Sequence, residues 1–444
     1  MSFLIDKQTL DDLNILGKYA VNSIYSLFNV VITAGGEKLL NKYFHNLLND
    51  HESINKRSQL FCFFQNGDYQ FPIKKEDFVL AEAYLTQTNY SNPLNAFLHA
   101  TRVQFLRKIG LDKEYQILKE GMIATTKVFR SLTTFGETFD NGLVQNPFAL
   151  QCETLKTILN NKQLQWIKKS ETDDKITFIQ FAKYDYVLRY ALKNELAELL
   201  HIIYEIDVNI AVAKVAEKEG FSYAKAYSKE RNFLSFEELF HPCVNDAVGN
   251  DIEFSDEKNV VFLTGANMAG KSTLMKAIGV AVYLAHMGFP IPAKKFEFSV
   301  KDGIFTSINV PDNLHLGYSH FYAEVLRVKN IAEAVISNRY LLILFDELFK
   351  GTNVKDAYDA TVHITKAFSK KIFSSFIIST HIMEAGVALQ KEETQIQFLY
   401  LPTVMKGVIP IYTYKLQKGI SDDRHGMVII GNEKIIEIIN GAHL

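Results

Sequence analysis

The chain has 444 residues, 48% of them hydrophobic, and a formal net charge of -2. That is enough apolar material for two or three domains with sizeable cores. The near-neutral balance excludes a surface that is basic all over, so any contact with nucleic acid must use a local patch. The three cysteines, Cys62, Cys152 and Cys243, stand far apart with no C-x-x-C pair, which suits a reducing cytoplasm and offers no zinc site.

The first twelve residues include Asp6, Asp11 and Asp12 and lack the basic-then-apolar profile of a signal peptide. Thr9-Leu10-Asp11-Asp12 reads as a helix N-cap with an acid three residues on. From there to about Ile202 apolar residues recur at helical spacing, which predicts a mostly helical N-terminal half. A turn is expected at residues 142–147 and a charged connector at 168–174. Between them and the start, Arg102, Arg107, Lys108, Lys113, Lys119, Lys127 and Arg130 outnumber Asp112, Glu114 and Glu120. Such a run is usually a solvated face, and it is also the stretch best suited to touch a phosphate backbone. A second helical block, residues 188–219, leads into Phe240-His241-Pro242 and the loop 245–251. Pro242 and the Gly249-Asn250 pair predict a domain boundary there, placed between residues 244 and 245.

After residue 245 short β-rich runs (260–264, 303–308, 341–345, 375–379 and 397–401) alternate with helical segments, the pattern of an α/β nucleotide-binding domain. The first run enters Gly265-Ala266-Asn267-Met268-Ala269-Gly270-Lys271-Ser272-Thr273, which fits G-x-x-x-x-G-K-[ST]. Its glycines let backbone N–H groups curl round a β-phosphate in front of a helix N-terminus. Lys271 adds a point charge for the β- and γ-phosphates of a nucleoside triphosphate, and Ser272 the hydroxyl expected on Mg²⁺. The apolar stretch 277–291 that follows is broken by His286, Pro290 and Pro292 and reads as a buried helix, not a membrane span. Gly317-Tyr318-Ser319-His320 opens a further helix with a glycine and a serine cap.

Tyr340-Leu341-Leu342-Ile343-Leu344-Phe345-Asp346-Glu347 is an apolar run ending in two carboxylates, the form of a central parallel strand that delivers acids to its C-terminal edge. Asp346 is the candidate for holding Mg²⁺ with Ser272, and Glu347 for orienting and deprotonating the attacking water. The strand Phe376-Ile377-Ile378-Ser379-Thr380-His381 brings His381 to where it could bond a γ-phosphate, although a histidine at a strand end is more often structural.

In order and spacing these elements resemble the MutS family of ABC-type ATPases. The family loop G-P-N-M-G-G-K-S-T is matched through Asn267-Met268, beyond the generic pattern. Ile291-Pro292-Ala293 is similar to its V-P-A. Asp312 with Gly317-x-Ser319-x-Phe321-x-x-Glu324 looks like its D...G-x-S-T-F-x-x-E signature loop. Asp346-Glu347 followed by Gly351-Thr352 and Asp356, and Ser379-Thr380-His381 with Glu384, are similar to D-E-x-x-x-G-T-x-x-x-D and T-H-x-x-E. In the N-terminal half, Thr33-x-x-Gly36-x-x-Leu39-Leu40, Ile54-Asn55-Lys56-Arg57, residues 207–217 and His241-Pro242 look like the family's helical core.

The resemblance implies an ABC-type P-loop ATPase domain over 245–444 behind a mostly α-helical core and lever domain over 1–244, with a reduced clamp inside about 100–190. It implies ATP and Mg²⁺ as cofactors and a homodimer through the ATPase domains, in which the Ser319 helix end meets the partner's γ-phosphate. It also places Tyr414 near the adenine, where a packed core tyrosine is the plainer expectation. Gly265, Asn267, Met268, Gly270, Lys271, Ser272, Thr273, Ser319 and Tyr414 would hold the nucleotide, Ser272 and Asp346 the metal, and Glu347 with His381 would serve hydrolysis. Duplex or branched DNA is the implied partner of such a clamp. The chain departs from the family at His320 for the signature threonine, Lys350 for an arginine and Phe349 for a glycine. The family reads mismatches with a Phe-x-Glu in an N-terminal domain that this sequence is expected to lack. Phe135-Gly136-Glu137 and Phe236-Glu237-Glu238 fall inside the helical half and read as chance. An Smr-type tail is likewise not expected. The competing expectation is a scaffold whose ATP cycle switches a dimer without touching DNA. An unrelated P-loop kinase is disfavoured by Glu347, which suits water activation.

Overall fold

The computed structural model describes residues 3–17, 22–87, 113–139, 146–169, 177–308, 320–392, 394–407, 409–422 and 438–439. The chain divides into two compact units, one of Met1–Phe28, Phe44–Ser58 and Val215–Leu444 and the other of Asn29–Tyr43 and Gln59–Lys214. This division differs from the boundary predicted between residues 244 and 245. Strand Leu234–Leu239 pairs antiparallel with Asn250–Phe254 and with Lys295–Ser299, so the loop at 245 joins two strands of one sheet. The Gly249-Asn250 turn signal was a hairpin connection.

The larger unit is built on a six-stranded sheet in the spatial order Gln417–Lys418, Ile396–Leu401, Val260–Gly265, Ser375–Ser379, Leu341–Asp346, Gly303–Ser307. All neighbours run parallel except Gln417–Lys418. Every residue of Val260–Gly265 and Ser375–Ser379 is buried. Strands covered on both faces cannot alternate polar with apolar, and the unbroken runs in the sequence follow from that. Helix Lys271–Met287 is buried along most of its length, in keeping with the expected core helix. Among the described residues no helix is long and apolar enough to cross a membrane.

Residues 3–17 and 44–58 are part of this unit because their polar groups are spent on it. Leu4 forms a parallel bridge with Gly303 at the free edge of the sheet. The Asp12 carboxylate accepts from the Ile308 N–H at 3.1 Å and from the Thr306 hydroxyl at 2.6 Å. The amide of Asn55 donates to the Ala226 carbonyl and accepts from its N–H, both at 2.9 Å. The first helix, Lys7–Asp12, is capped by Asp6, whose carboxylate accepts from the Thr9 N–H at 2.9 Å. The predicted cap at Thr9 is therefore corrected. Thr9 lies inside the helix, and its hydroxyl accepts from the Thr306 N–H at 3.1 Å.

The smaller unit is helical. Lys75–Thr86, Lys113–Thr138 and Ala149–Leu159 contribute to a core that includes Phe78, Met122, Leu132 and Leu155. Asp207 is buried and accepts from the Thr33 N–H at 2.8 Å and hydroxyl at 2.7 Å, and burial pushes its carboxyl above the usual range against those bonds. A Cβ on Gly36 would lie 2.6 Å from the Asp207 carboxylate, which is why only glycine fits the T-x-x-G spacing. Of the predicted turn and connector, residues 142–145 and 170–174 lie outside the described residues, and the described remainder of 100–190 is helical.

Candidate active site

Three adjacent parallel strands, Val260–Gly265, Ser375–Ser379 and Leu341–Asp346, end together, and the sequence-predicted chemistry sits at their C-terminal edge, where open α/β sheets place ligands. The first strand opens into the glycine loop, and helix Lys271–Met287 begins directly after Gly270. Gly270 has φ +100°, and a Cβ there would stand 3.1 Å from Cδ1 of Tyr414. Met268 also has positive φ, +69°, and is 75% exposed.

Lys271 is buried, and its ammonium donates to the carbonyls of Gly265 at 2.9 Å and Ala266 at 3.1 Å. Burial lowers its pKa, while Asp346 and Glu347 act in the opposite direction, which places both acids within its field. A cleft of about 470 Å³ lies in front of the loop, lined by Asn267, Met268, Gly270, Lys271, Ser272, Thr273, Glu347 and Tyr414 together with His241 and residues 244–248. Burial and the nearby Lys276 push the His241 imidazole down to about 4, so it is neutral, and its Nδ1 accepts from the Cys243 N–H at 3.2 Å.

The acids are held closely. The Ser379 hydroxyl bonds Oδ1 of Asp346, its partner across the parallel register. Glu347 has φ +54°, and its N–H donates to the Ser379 carbonyl at 3.1 Å and hydroxyl at 3.3 Å. Nε2 of His381 bonds Oε1 of Glu347, and Nζ of Lys350 lies 3.9 Å from Oε2. The hydrogen bond from His381 is the main cause that lowers the Glu347 pKa, against the opposing effect of burial.

The oxygen donors fit a magnesium ion that brings phosphate oxygens with it. Among the described residues no cluster of three or more His, Cys, Asp or Glu could hold a metal by itself. One carboxylate (Asp346) and one hydroxyl (Ser272) beside a phosphate loop are the donors Mg²⁺ takes from protein in such sites.

The structure thus brings the glycine loop, Lys271, Ser272, Asp346, Glu347, His381 and Tyr414 to one region of the larger unit. Ser319, with Asp312 and Gly317, lies outside the described residues. Tyr414 is 45% exposed rather than a core tyrosine, with φ +53°. Two contributors were missed in the sequence. Ser379 ends an apolar strand in a small polar residue, the only signal it left. Asn250 is buried, donates from Nδ2 to the Tyr414 carbonyl at 2.9 Å and accepts the Leu416 N–H at 2.7 Å, holding the Tyr414 segment in place.

Comparison with known proteins agrees with this geometry. Residues 261–442 match the MutS domain V family. The DNA mismatch repair protein MutS of Lysinibacillus sphaericus is 30% identical over 231 residues, 51% of this chain and 26% of that protein. The proteins of the same description from Bacillus cytotoxicus and Petrotoga mobilis are each 30% identical, over 58% of this chain and 29% and 32% of their own lengths. Residues 261–442 are thus similar to a MutS domain V, and the chain resembles MutS proteins over about half of its own length. Its match spans about a quarter to a third of the length of these MutS relatives. The MutS domain V match begins inside strand Val260–Gly265 and takes in the glycine loop, both acids, His381 and Tyr414.

In the helical unit the basic stretch is partly engaged. Lys127 pairs with Asp77 at 3.1 Å, and Arg130 donates to the Ile167 carbonyl at 3.4 Å. Arg102, Arg107 and Lys108 lie outside the described residues. Phe135 and Phe236, the aromatic residues of the two Phe-x-Glu triplets considered above, are buried, Phe135 in a helix at 6% exposure and Phe236 in a strand at 1%.

Proposed function

We propose that the chain is an ATP-hydrolysing, DNA-binding protein in which an ABC-type P-loop domain drives a dimeric clamp on duplex or branched DNA, without a mismatch reader of its own. The observation that carries this is the convergence of Lys271, Ser272, Asp346, Glu347 and His381 at the ends of three adjacent strands. The loop N–H groups and the helix N-terminus bind the phosphates, and Lys271 leaves the carbonyls of Gly265 and Ala266 to meet the β- and γ-phosphate oxygens. Ser272 and Asp346 would hold Mg²⁺, which would supply neutralisation of the phosphate charge. Glu347 takes the proton of the attacking water, and His381 keeps the carboxylate oriented. Tyr414, held by Asn250, supplies a wall for the base. Ser319 acts on the ATP of the second subunit, where a helix N-terminus stabilises developing negative charge. ATP turnover measured with and without duplex DNA tests the reading, which requires both hydrolysis and its stimulation.

The engaged state of Lys127 and Arg130 favours a second reading, an ATP-switched scaffold that does not bind DNA. Turnover and dimerisation that proceed without any response to DNA would select it.

A further inference from the structure

Ser379 touches both acids of the site through one hydroxyl. It is fully buried at the end of the strand between the glycine-loop strand and the acid strand. Its single proton goes to Oδ1 of Asp346, and its lone pairs face the Glu347 N–H at 3.3 Å. A serine hydroxyl has one donor and two acceptor positions, so both bonds are satisfied at once. The carbonyl of the same residue takes the Glu347 N–H at 3.1 Å. Glu347 needs this hold, since a side-chain-bearing residue at φ +54° occupies a sparsely populated region.

We infer that Ser379 is the positioning residue of the acid pair, fixing the Asp346 carboxylate for the metal and the Glu347 backbone for the water with one hydroxyl. The inference rests on the proposed roles of Asp346 and Glu347. With Oδ1 committed to Ser379, the rotamer of Asp346 is set before a metal arrives, and Oδ2 is left for coordination. The bond to the Glu347 N–H ties the turn that carries the second acid to the same atom. Without the hydroxyl, Asp346 must give up rotational freedom when Mg²⁺ binds, and one of the two acceptors on the Glu347 N–H is gone.

The test compares wild type, Ser379→Ala and Ser379→Thr in the full chain. ATPγS affinity is measured by calorimetry in EDTA and across a Mg²⁺ titration, alongside ATP turnover. For Ser379→Ala the affinity in EDTA stays at the wild-type value, while the gain produced by Mg²⁺ falls about tenfold, the size expected for one charge-assisted hydrogen bond. Turnover falls by at least as much. Ser379→Thr keeps the hydroxyl and restores the Mg²⁺-dependent gain to within about threefold. A wild-type Mg²⁺ titration and turnover in Ser379→Ala overturn the inference. So does an equal loss of affinity in EDTA and in Mg²⁺, or a threonine variant no better than alanine. A wild-type protein that neither gains affinity from Mg²⁺ nor hydrolyses ATP overturns the ATPase reading itself, whereas active wild type with an unaffected alanine variant overturns only the role of Ser379.

Discussion

Replacing Glu347 by glutamine isolates the charge of one carboxylate from everything else the residue does. The backbone bonds from Glu347 N–H to the Ser379 carbonyl (3.1 Å) and hydroxyl (3.3 Å) do not involve the side chain, so the strained turn at φ +54° is kept. Glutamine retains an Oε1 acceptor for Nε2 of His381, while Lys350, 3.9 Å away, and Lys271, in whose field Glu347 lies, each lose a charge partner. A half-exposed pair at that distance is worth on the order of 1 kcal/mol or less, so stability should change little. Removing a general base costs roughly 10²–10⁴ in rate, and at 1.36 kcal/mol per decade this is a barrier increase of about 3–5 kcal/mol. ATP affinity should hold or rise, because a negative charge is removed from beside the phosphates. Phosphate release, ATP binding by calorimetry and dimer content by size exclusion measure the three quantities. The expected outcome is a slow enzyme that accumulates as an ATP-bound dimer. The lowered pKa of Glu347 adds a pH signature: the base is already ionised above the ordinary 4.5, and this group should not limit the wild-type rate until the pH falls below that value. Wild-type turnover in Glu347→Gln would refute the assignment.

Lys271→Ala and Ser319→Arg proteins, each inactive alone, should regain part of the ATPase activity when mixed, because a hybrid dimer keeps one composite site; catalysis within single subunits would give no rescue. Phe135 and Phe236 are both buried and so are not placed to unstack a mispaired step as an aromatic wedge, and anisotropy should show matched and single-mismatch duplexes bound within about 1 kcal/mol of each other. A tenfold preference for the mismatch would contradict this. His286 is fully buried, its Nδ1–H donates to the Leu48 carbonyl at 2.9 Å, and burial depresses its pKa from 6.5 to about 4. Its contribution to stability is complete above the unfolded value and is lost as the pH falls from 6.5 towards 4, amounting to about 2 kcal/mol between about pH 7 and 5 as an upper bound. Urea unfolding of His286→Asn, which cannot take up a proton, should show a pH slope flatter by that amount; an unchanged slope would rule the linkage out.

Most of the site could be read along the chain because its chemistry is local. A phosphate loop needs glycines at set spacings from a lysine, and a strand buried on both faces has no choice but an unbroken apolar run, so the strands ending at Gly265, Asp346 and Ser379 announced themselves together with the acids and the histidine behind them. What covers a surface is not local. Nothing in residues 3–17 or 44–58 distinguishes helices of a separate helical domain from segments that bond Thr306, Ile308 and Ala226, and only the folded chain assigned them to the larger unit. The strands from 222 to 254 are only two to six residues long, and the antiparallel pairing of Leu234–Leu239 with Asn250–Phe254 turned an expected domain boundary into a hairpin. The first helix shows the same limit on the scale of one atom. Asp6 and Thr9 can each cap a helix, and the choice fell to Asp6 because the Thr9 hydroxyl is taken by the Thr306 N–H, 297 residues away in sequence. Ser379 went unread for the same reason: a hydroxyl becomes part of a site only when a neighbouring strand, in the register that sets Ser379 against Asp346, brings an acid within its reach.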